Sequence, residues 1–132
     1  MYRKFSGHDR RRFQRLELNV IVIYRVDAPP LVRIQVGDKE IEATMLNLSE
    51  GGIALLTKYN LPPWTVLSIK FTLSRIDKEG KVIFMGPMSI RGEIRSNIPF
   101  SKDEFRLGIC FTDVAHRDKG DISNFVKASG IL

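Results

Sequence analysis

The sequence has few cysteines and no long apolar run. Its one cysteine, Cys110, has no partner for an internal disulfide, so a reducing compartment is expected. No apolar segment approaches the roughly 20 residues that span a bilayer. The polar N-terminus also lacks the apolar stretch of a secretory signal. We therefore expect a soluble, cytoplasmic domain with no membrane insertion.

Motifs of common enzymes are also missing. The two histidines, His8 and His116, lie far apart in sequence, with no cysteine or carboxylate cluster at metal-ligand spacing. The sequence contains no GxSxG elbow, no P-loop and no dinucleotide-binding fingerprint. We expect no catalytic residue, no metal and no cofactor, and we predict that the chain is not an enzyme.

Positive charge is concentrated at the N-terminus. The net charge is +6, and residues 1–20, with six basic and two acidic side chains, contribute +4 of it. The sequence predicts two parts, a basic arm over residues 1–15 and a nearly neutral body over residues 16–132. Such an arm indicates an anionic partner. A solvated tail that aids solubility is the other interpretation.

Short apolar segments separated by turn residues fill the body. The clearest period-2 alternation runs over residues 66–73, where Leu67, Ile69 and Phe71 alternate with polar neighbours. Gly86-Pro87 predicts a bulge or bend within one long strand or between two short ones. Strands are predicted over residues 16–25, 31–36, 40–48, 53–57, 66–73, 82–85 with 88–96, and 105–112.

Only the C-terminus changes period. Ile122, Phe125 and Val126 have helical spacing, and Asp118 or Asp121 is a candidate N-cap. Short strands followed by one helix predict a mainly β protein, a six- or seven-stranded antiparallel β-barrel with a C-terminal α-helix.

The first candidate site segment is an arginine cluster in the arm. Arg10, Arg11 and Arg15 form the pattern RRxxxR. Guanidinium groups pair bidentately with phosphate oxygens, donate two hydrogen bonds to O6 and N7 of guanine, and stack on bases. Among 12 arginines the pattern alone is weak, and an exposed basic arm explains it equally well.

The second candidate segment lies between two predicted strands. Asn47 and Ser49 offer a carbonyl and a hydroxyl to a polar ligand, and Gly51 and Gly52 permit close backbone approach. An ordinary turn is the alternative, because asparagine, serine and glycine favour turns for local reasons.

Together and in this order, the two segments resemble the motifs of PilZ domains. Arg11 and Arg15 match the family's RxxxR motif, and Asn47, Ser49 and Gly52 match its D/N-x-S-x-x-G motif. Residues 91–95 look like the family's penultimate strand, and residues 106–111 carry the L-G-x-x-F pattern of its last strand. The resemblance covers residues from about 9 to about 126.

The resemblance implies a receptor for the bacterial second messenger cyclic di-GMP. Arg11 and Arg15 are then expected to grip the phosphates and the guanine Hoogsteen edges, and Asn47 and Ser49 to contact guanine. Gly51 and Gly52 are expected to let the backbone approach the ligand. The implied partners are cyclic di-GMP and an unidentified protein effector, reached through a conformational change of the arm, with no DNA or RNA.

Three features go beyond the common family pattern. Arg10 resembles the position that favours a stacked pair of cyclic di-GMP molecules. Asn47 stands where aspartate is commoner, which lowers the expected affinity because an amide offers one acceptor group. The segment between the two motifs is long, so an extra hairpin arm is expected over residues 27–36.

Two other functions remain open at this point. Small barrels bind oligonucleotides by combining basic grooves with stacking aromatics. Here Phe71, Phe105 and Phe111 are predicted to lie in the core, which disfavours that function. The second alternative is a PilZ-like adaptor that binds only protein. Trp64, after Pro62-Pro63, is a candidate anchor for such a contact, and packing in the core or against a loop is the other interpretation of this residue.

Overall fold

The computed structural model describes residues 16–130. Six β-strands form one closed antiparallel barrel, and two helices lie outside it. The elements in chain order are β1 (Leu16–Ala28), α1 (Pro30–Val36), β2 (Ile41–Leu48), β3 (Gly52–Thr57), β4 (Val66–Ile76), β5 (Val82–Ser101), β6 (Glu104–Asp113) and α2 (His116–Gly130).

The strands follow the ring order β1-β2-β3-β6-β5-β4. The predicted fold class is therefore confirmed, with six strands and a C-terminal helix. Alternating side chains fill the barrel because successive residues of a strand point to opposite faces. The largest fully buried side chains are Tyr24, Met45, Leu48, Leu55, Leu61, Leu67, Ile69, Leu73, Met88, Ile90, Ile94 and Leu107.

One polar pair lies inside this apolar core. The hydroxyl groups of Tyr24 and Thr57 are 2.7 Å apart and share a hydrogen bond. Thr57 Oγ1 also accepts a hydrogen bond from the backbone N–H of Tyr59 at 3.3 Å. Burial raises the pKa of Tyr24 from 10.0 to about 12, because ionising the phenol inside the core loses solvation. The pair satisfies polar groups that are costly to bury alone.

The β4–β5 hairpin projects beyond the barrel. β4 pairs with β1 only up to Lys70, whereas its pairing with β5 continues to Ile76 and Val82. The register shifts between Phe71 and Leu73, next to Gly86-Pro87, so the predicted bulge is confirmed within a single long β5. The far end of the hairpin is a two-stranded ribbon.

The strand predicted over residues 31–36 is wrong, because this segment is the helix α1. Pro30 occupies its first turn, where a fixed φ favours a helix start. Gly37 ends it with a φ of 98°, a conformation that favours glycine. A closed ring leaves no strand edge for another strand, so neither that strand nor the hairpin arm expected over residues 27–36 has a place in the sheet.

The C-terminal helix is longer than predicted. α2 begins at His116, so Asp118 lies in its first turn, and neither Asp118 nor Asp121 is the N-cap. The predicted helical face is confirmed, since Ile122, Phe125 and Val126 are all buried against the barrel.

Candidate functional site

The candidate site contains the turn that joins β2 to β3. β2 ends at Leu48 and β3 begins at Gly52. The backbone N–H of Ser49 donates to the carbonyl oxygen of Gly52 at 2.9 Å. Ser49 Oγ accepts from the N–H groups of Gly51 and Gly52 at 3.3 and 3.2 Å. The serine hydroxyl therefore organises the turn, in agreement with the local explanation of this segment.

Asn47 precedes this turn on the outer face of the barrel. A register shift between Met45 and Asn47 places Asn47 opposite Ala54 on β3. Met45 points into the core, and regular alternation would point Asn47 inward as well. The register shift instead turns Asn47 away from the core residues of β2. Asn47 is only 5% exposed and Ser49 only 7%. Both polar residues of the motif are thus held close to the barrel wall.

Gly52 is constrained by the neighbouring strand. It is the Cα partner of Cys110 on β6, and a side chain at this position would collide with the backbone carbonyl oxygen of Ile109. The adjacent Gly51 accepts a hydrogen bond from the N–H of Phe111 at 2.9 Å. The strand β6 therefore fixes the turn from the other side, and the fold itself requires glycine at position 52.

The start of β1 lies beside this turn. Leu16 is the Cα partner of Leu48, and Glu17 is the partner of Asn47. Arg10, Arg11 and Arg15 lie outside the described residues, so their predicted roles remain predictions. The described register nevertheless brings the strand that directly follows the RRxxxR segment to the Asn-x-Ser-x-x-Gly turn.

A row of small residues leads from Asn47 across β3, β6 and β5, and its first two members are buried, with Asn47 5% and Ala54 3% exposed. Asn47 pairs with Ala54, Ala54 pairs with Gly108 on β6, and Gly108 pairs with Ser96 on β5. A side chain at Gly108 would collide with Ser96 Oγ, so the two residues share this face. Local sequence gives no sign of this row, because its members come together only through strand register.

A helix also contacts the turn. Glu50, the exposed residue between Ser49 and Gly51, accepts a hydrogen bond from Ser123 Oγ of α2 at 3.1 Å. This contact connects the candidate site to the C-terminal helix.

Other kinds of site find little support in the described chain. Residues 16–130 contain no group of three or more histidine, cysteine or acidic side chains arranged to hold a metal ion. No helix within this same range has the length and apolar character needed to cross a membrane. As predicted, Phe71 is buried, and Phe105 and Phe111 pack against the core, so these aromatics form no stacking surface.

A closed barrel of six antiparallel strands, with a C-terminal helix packed against it and an Asn-x-Ser-x-x-Gly turn, defines the class of this protein. The family model described as PilZ domain matches residues 9–128. The chain belongs to the PilZ domain family.

Solved structures share this fold at low sequence identity. The Bacillus subtilis inhibitor of motility (MotI/DgrA) is similar at 16% identity over 89% of this chain and 49% of its own length, with a TM-score of 0.62. The PilZ domain of YcgR from Escherichia coli, solved with cyclic di-GMP, is 14% identical over 92% of both chains, with a TM-score of 0.56.

A third similar structure is the MrkH–cyclic di-GMP complex from K. pneumonia. It is 16% identical over 91% of this chain and 51% of its own length, with a TM-score of 0.58. This chain therefore spans about half the length of MotI/DgrA and of MrkH. A search of curated protein sequences gave no match.

Proposed function

We propose that this chain is a cyclic di-GMP receptor in which the arm and the β2–β3 turn bind the nucleotide together. The observation that carries the proposal is the pairing of Leu16 with Leu48. Arg15 is one peptide bond from Leu16, and Leu48 lies between Asn47 and Ser49. This pairing supports the proposal, because the strand that directly follows the RRxxxR segment begins beside a turn with amide, hydroxyl and backbone groups.

The chemistry of the two segments matches the two parts of the ligand. Arg11 and Arg15 pair bidentately with phosphate oxygens and donate to the guanine Hoogsteen edge. Asn47 offers a carbonyl acceptor and an amide donor to the base. Ser49 maintains the turn, Gly51 presents no side chain to an approaching ligand, and Gly52 lets the turn pack closely against β6.

The family and the similar structures support this ligand. The chain belongs to the PilZ domain family, and both the PilZ domain of YcgR and MrkH were solved with cyclic di-GMP. The buried position of Asn47 and Ser49 adds a second argument. A rigid turn loses little conformational entropy when a ligand binds, which favours affinity.

The output is proposed to pass through the arm to a protein effector. Residues 1–15 change conformation when the nucleotide binds, which alters the surface offered to the effector. Amide hydrogen exchange of residues 3–15 tests this relay, with increased protection expected upon nucleotide addition. Unchanged protection, under conditions where calorimetry shows saturation, would contradict the relay while leaving nucleotide binding intact.

Arg10 is proposed to set the stoichiometry. A third guanidinium next to the motif adds a stacking surface for a second nucleotide. We expect two molecules of cyclic di-GMP per chain in the wild type and one in an Arg10→Ala variant. Saturation of the wild-type chain at one nucleotide would show that the stacked pair does not form.

Isothermal titration calorimetry tests receptor function directly. The wild-type chain is titrated with cyclic di-GMP beside Arg11→Ala/Arg15→Ala, for which binding is expected to disappear. The matched control is Lys78→Ala/Lys81→Ala, which also removes two positive charges, here from the β4–β5 turn. This control variant should bind cyclic di-GMP as the wild type does. Equal weakening in both double variants would indicate a nonspecific charge effect rather than a receptor.

A further inference from the structure

The ribbon at the far end of the β4–β5 hairpin presents an apolar face to water. Ile76 lies opposite Val82, and Ser74 lies opposite Phe84, so these four side chains share one side of the two strands. Ile76 is 69% exposed, Val82 is 55% exposed and Phe84 is 70% exposed. We call these four residues the ribbon face.

The opposite side of the ribbon is packed, and its turn is closed. Leu73 is fully buried, and its cross-strand partner Met85 packs against the core. The N–H of Asp77 donates to the carbonyl oxygen of Lys81 at 2.9 Å, and Asp77 Oδ1 accepts from the N–H groups of Glu79 and Lys81 at 2.8 and 2.9 Å. The ribbon face therefore lies on an ordered element, which loses little conformational entropy when a partner covers it.

The ribbon face carries no charge. Among the described ribbon residues 72–76 and 82–85, the one charged side chain is Arg75, which alternates onto the side of Leu73. The turn over residues 77–81 contains two acidic and two basic side chains, so its net charge is zero. Two copies of this surface can therefore meet without bringing an excess of like charge together.

Trp64 is a second exposed apolar side chain, at the opposite end of β4. It is 63% exposed, so it does not pack in the core. The guanidinium carbon of Arg95, which stands at a bulge of β5 between Ile94 and Ser96, is 5.1 Å from the centroid of the Trp64 ring. This cation–π contact covers one side of the indole, so Trp64 offers a less complete apolar surface than the ribbon face.

The composition of the ribbon face fits a second copy of this chain. Homodimer interfaces are more apolar than interfaces between different proteins, and a twofold contact needs a patch that complements itself. An uncharged face of isoleucine, valine, phenylalanine and serine meets both conditions. A lipid bilayer fits less well, because the charged side chains of the turn lie directly beyond the face and are costly to insert.

We propose that the ribbon face is a homodimer contact, in which two chains lay their ribbon faces on each other about a twofold axis. Sheets that pack face to face lie about 10 Å apart, and their side chains interdigitate. Because both chains use the same face, the contact is closed and stops at two chains. This inference goes beyond the proposed receptor function and does not depend on it.

The area of the ribbon face sets the strength of the dimer. Its three large side chains offer on the order of 350 Å² of apolar surface per chain, less than half of the roughly 800 Å² that each partner buries in a standard interface. We therefore expect a weak, reversible dimer with a dissociation constant on the order of 100 µM.

Sedimentation-velocity ultracentrifugation of the full chain over about 10–500 µM tests the dimer. The average mass of the wild type should rise with concentration from one chain towards two. Ile76→Thr/Phe84→Thr should lower the association constant by about tenfold or more, and the ribbon should keep its fold because threonine favours strands.

The matched control is Ile98→Thr/Phe100→Thr. It removes the same two side-chain types from positions that are 53% and 57% exposed, at the other end of β5. This variant should dimerise as the wild type does.

Backbone amide shifts locate the contact. On dilution of the wild type from about 500 to about 50 µM, shifts should change at residues 72–76 and 82–85 and stay constant at residues 98–100.

Three results would overturn the homodimer contact. If the wild type stays monomeric at about 500 µM, the ribbon face is better explained as a contact for a different protein. A dimer that persists in Ile76→Thr/Phe84→Thr, with shifts away from the ribbon, would place the contact elsewhere on the chain. Equal loss of the dimer in both double variants would show general apolar association rather than a ribbon contact.

Discussion

Leu16, at the start of β1, is the Cα partner of Leu48, at the end of β2. This one pairing connects two segments that are more than thirty residues apart in sequence. The turn at the end of β2 is itself fixed by Ser49 and by β6, so the place where the arm joins the barrel is defined.

Gly52→Ala should destabilise the fold. The added methyl group collides with the carbonyl oxygen of Ile109, and backbone on both sides cannot move away cheaply. We expect the free energy of unfolding to fall by about 2 kcal/mol or more in urea denaturation. Gly120→Ala is the control, because that helical position has open space and alanine should stabilise it by about 0.5–1 kcal/mol. Equal stability of the two variants would disprove the steric account.

Ser49→Ala should loosen the β2–β3 turn. The N–H groups of Gly51 and Gly52 lose their shared acceptor, which costs about 1 kcal/mol of folding stability. Cyclic di-GMP affinity should fall as well, because the turn is no longer rigid before binding. Ser74→Ala, at an exposed position of β4, should change stability by less than about 0.5 kcal/mol. Unchanged nucleotide affinity in Ser49→Ala would separate the turn from the site.

Tyr24 should make folding stability depend on alkaline pH. Burial raises its pKa to about 12, above the unfolded value of 10.0, so the folded chain holds the proton more tightly. This contribution is complete below pH about 10 and is lost as the pH rises towards about 12. Urea denaturation at several pH values in this window should show a steeper loss of stability in the wild type than in Tyr24→Phe. Parallel curves would contradict the assignment.

Asn47→Asp should strengthen nucleotide binding. A carboxylate accepts two hydrogen bonds from the guanine Watson–Crick edge, whereas the amide offers one acceptor group. We expect the dissociation constant for cyclic di-GMP to fall by up to about tenfold at pH about 8, which corresponds to about 1.4 kcal/mol. Asn60→Asp adds the same charge at an exposed position and is expected to have no effect. Weaker binding in Asn47→Asp would place the asparagine outside the guanine contact.

Strands and turns were readable from local sequence because alternation of apolar residues reports a half-buried strand directly. The alternation over residues 66–73 appears in the structure as predicted, and the Asn-x-Ser-x-x-Gly segment forms the turn that its local residue preferences favour. The strand prediction for residues 31–36 was wrong because the apolar residues of this segment fit both the helical and the strand period. Only the closed ring of strands, which leaves no free edge, excludes a further strand there. Helix starts also depend on context, as the early start of α2 at His116 shows.

The geometry of the candidate site was less predictable. Nothing in the sequence reveals that Asn47, Ala54, Gly108 and Ser96 form one row, since their order depends on the register of four strands. The bulge that exposes Arg95 depends equally on pairing with β6. The roles of Arg10, Arg11 and Arg15 rest on the sequence motif and on their connection to β1.

Chemical-shift mapping of backbone amides during a cyclic di-GMP titration tests the central claim most directly. The account predicts that the largest shifts fall on residues 47–52 and on Leu16, with small shifts at the ribbon residues Ile76 and Val82. It also predicts that Arg11→Ala/Arg15→Ala abolishes the shifts at the turn. Shifts confined to the ribbon, or turn shifts that persist in the double variant, would contradict a site shared by the arm and the β2–β3 turn.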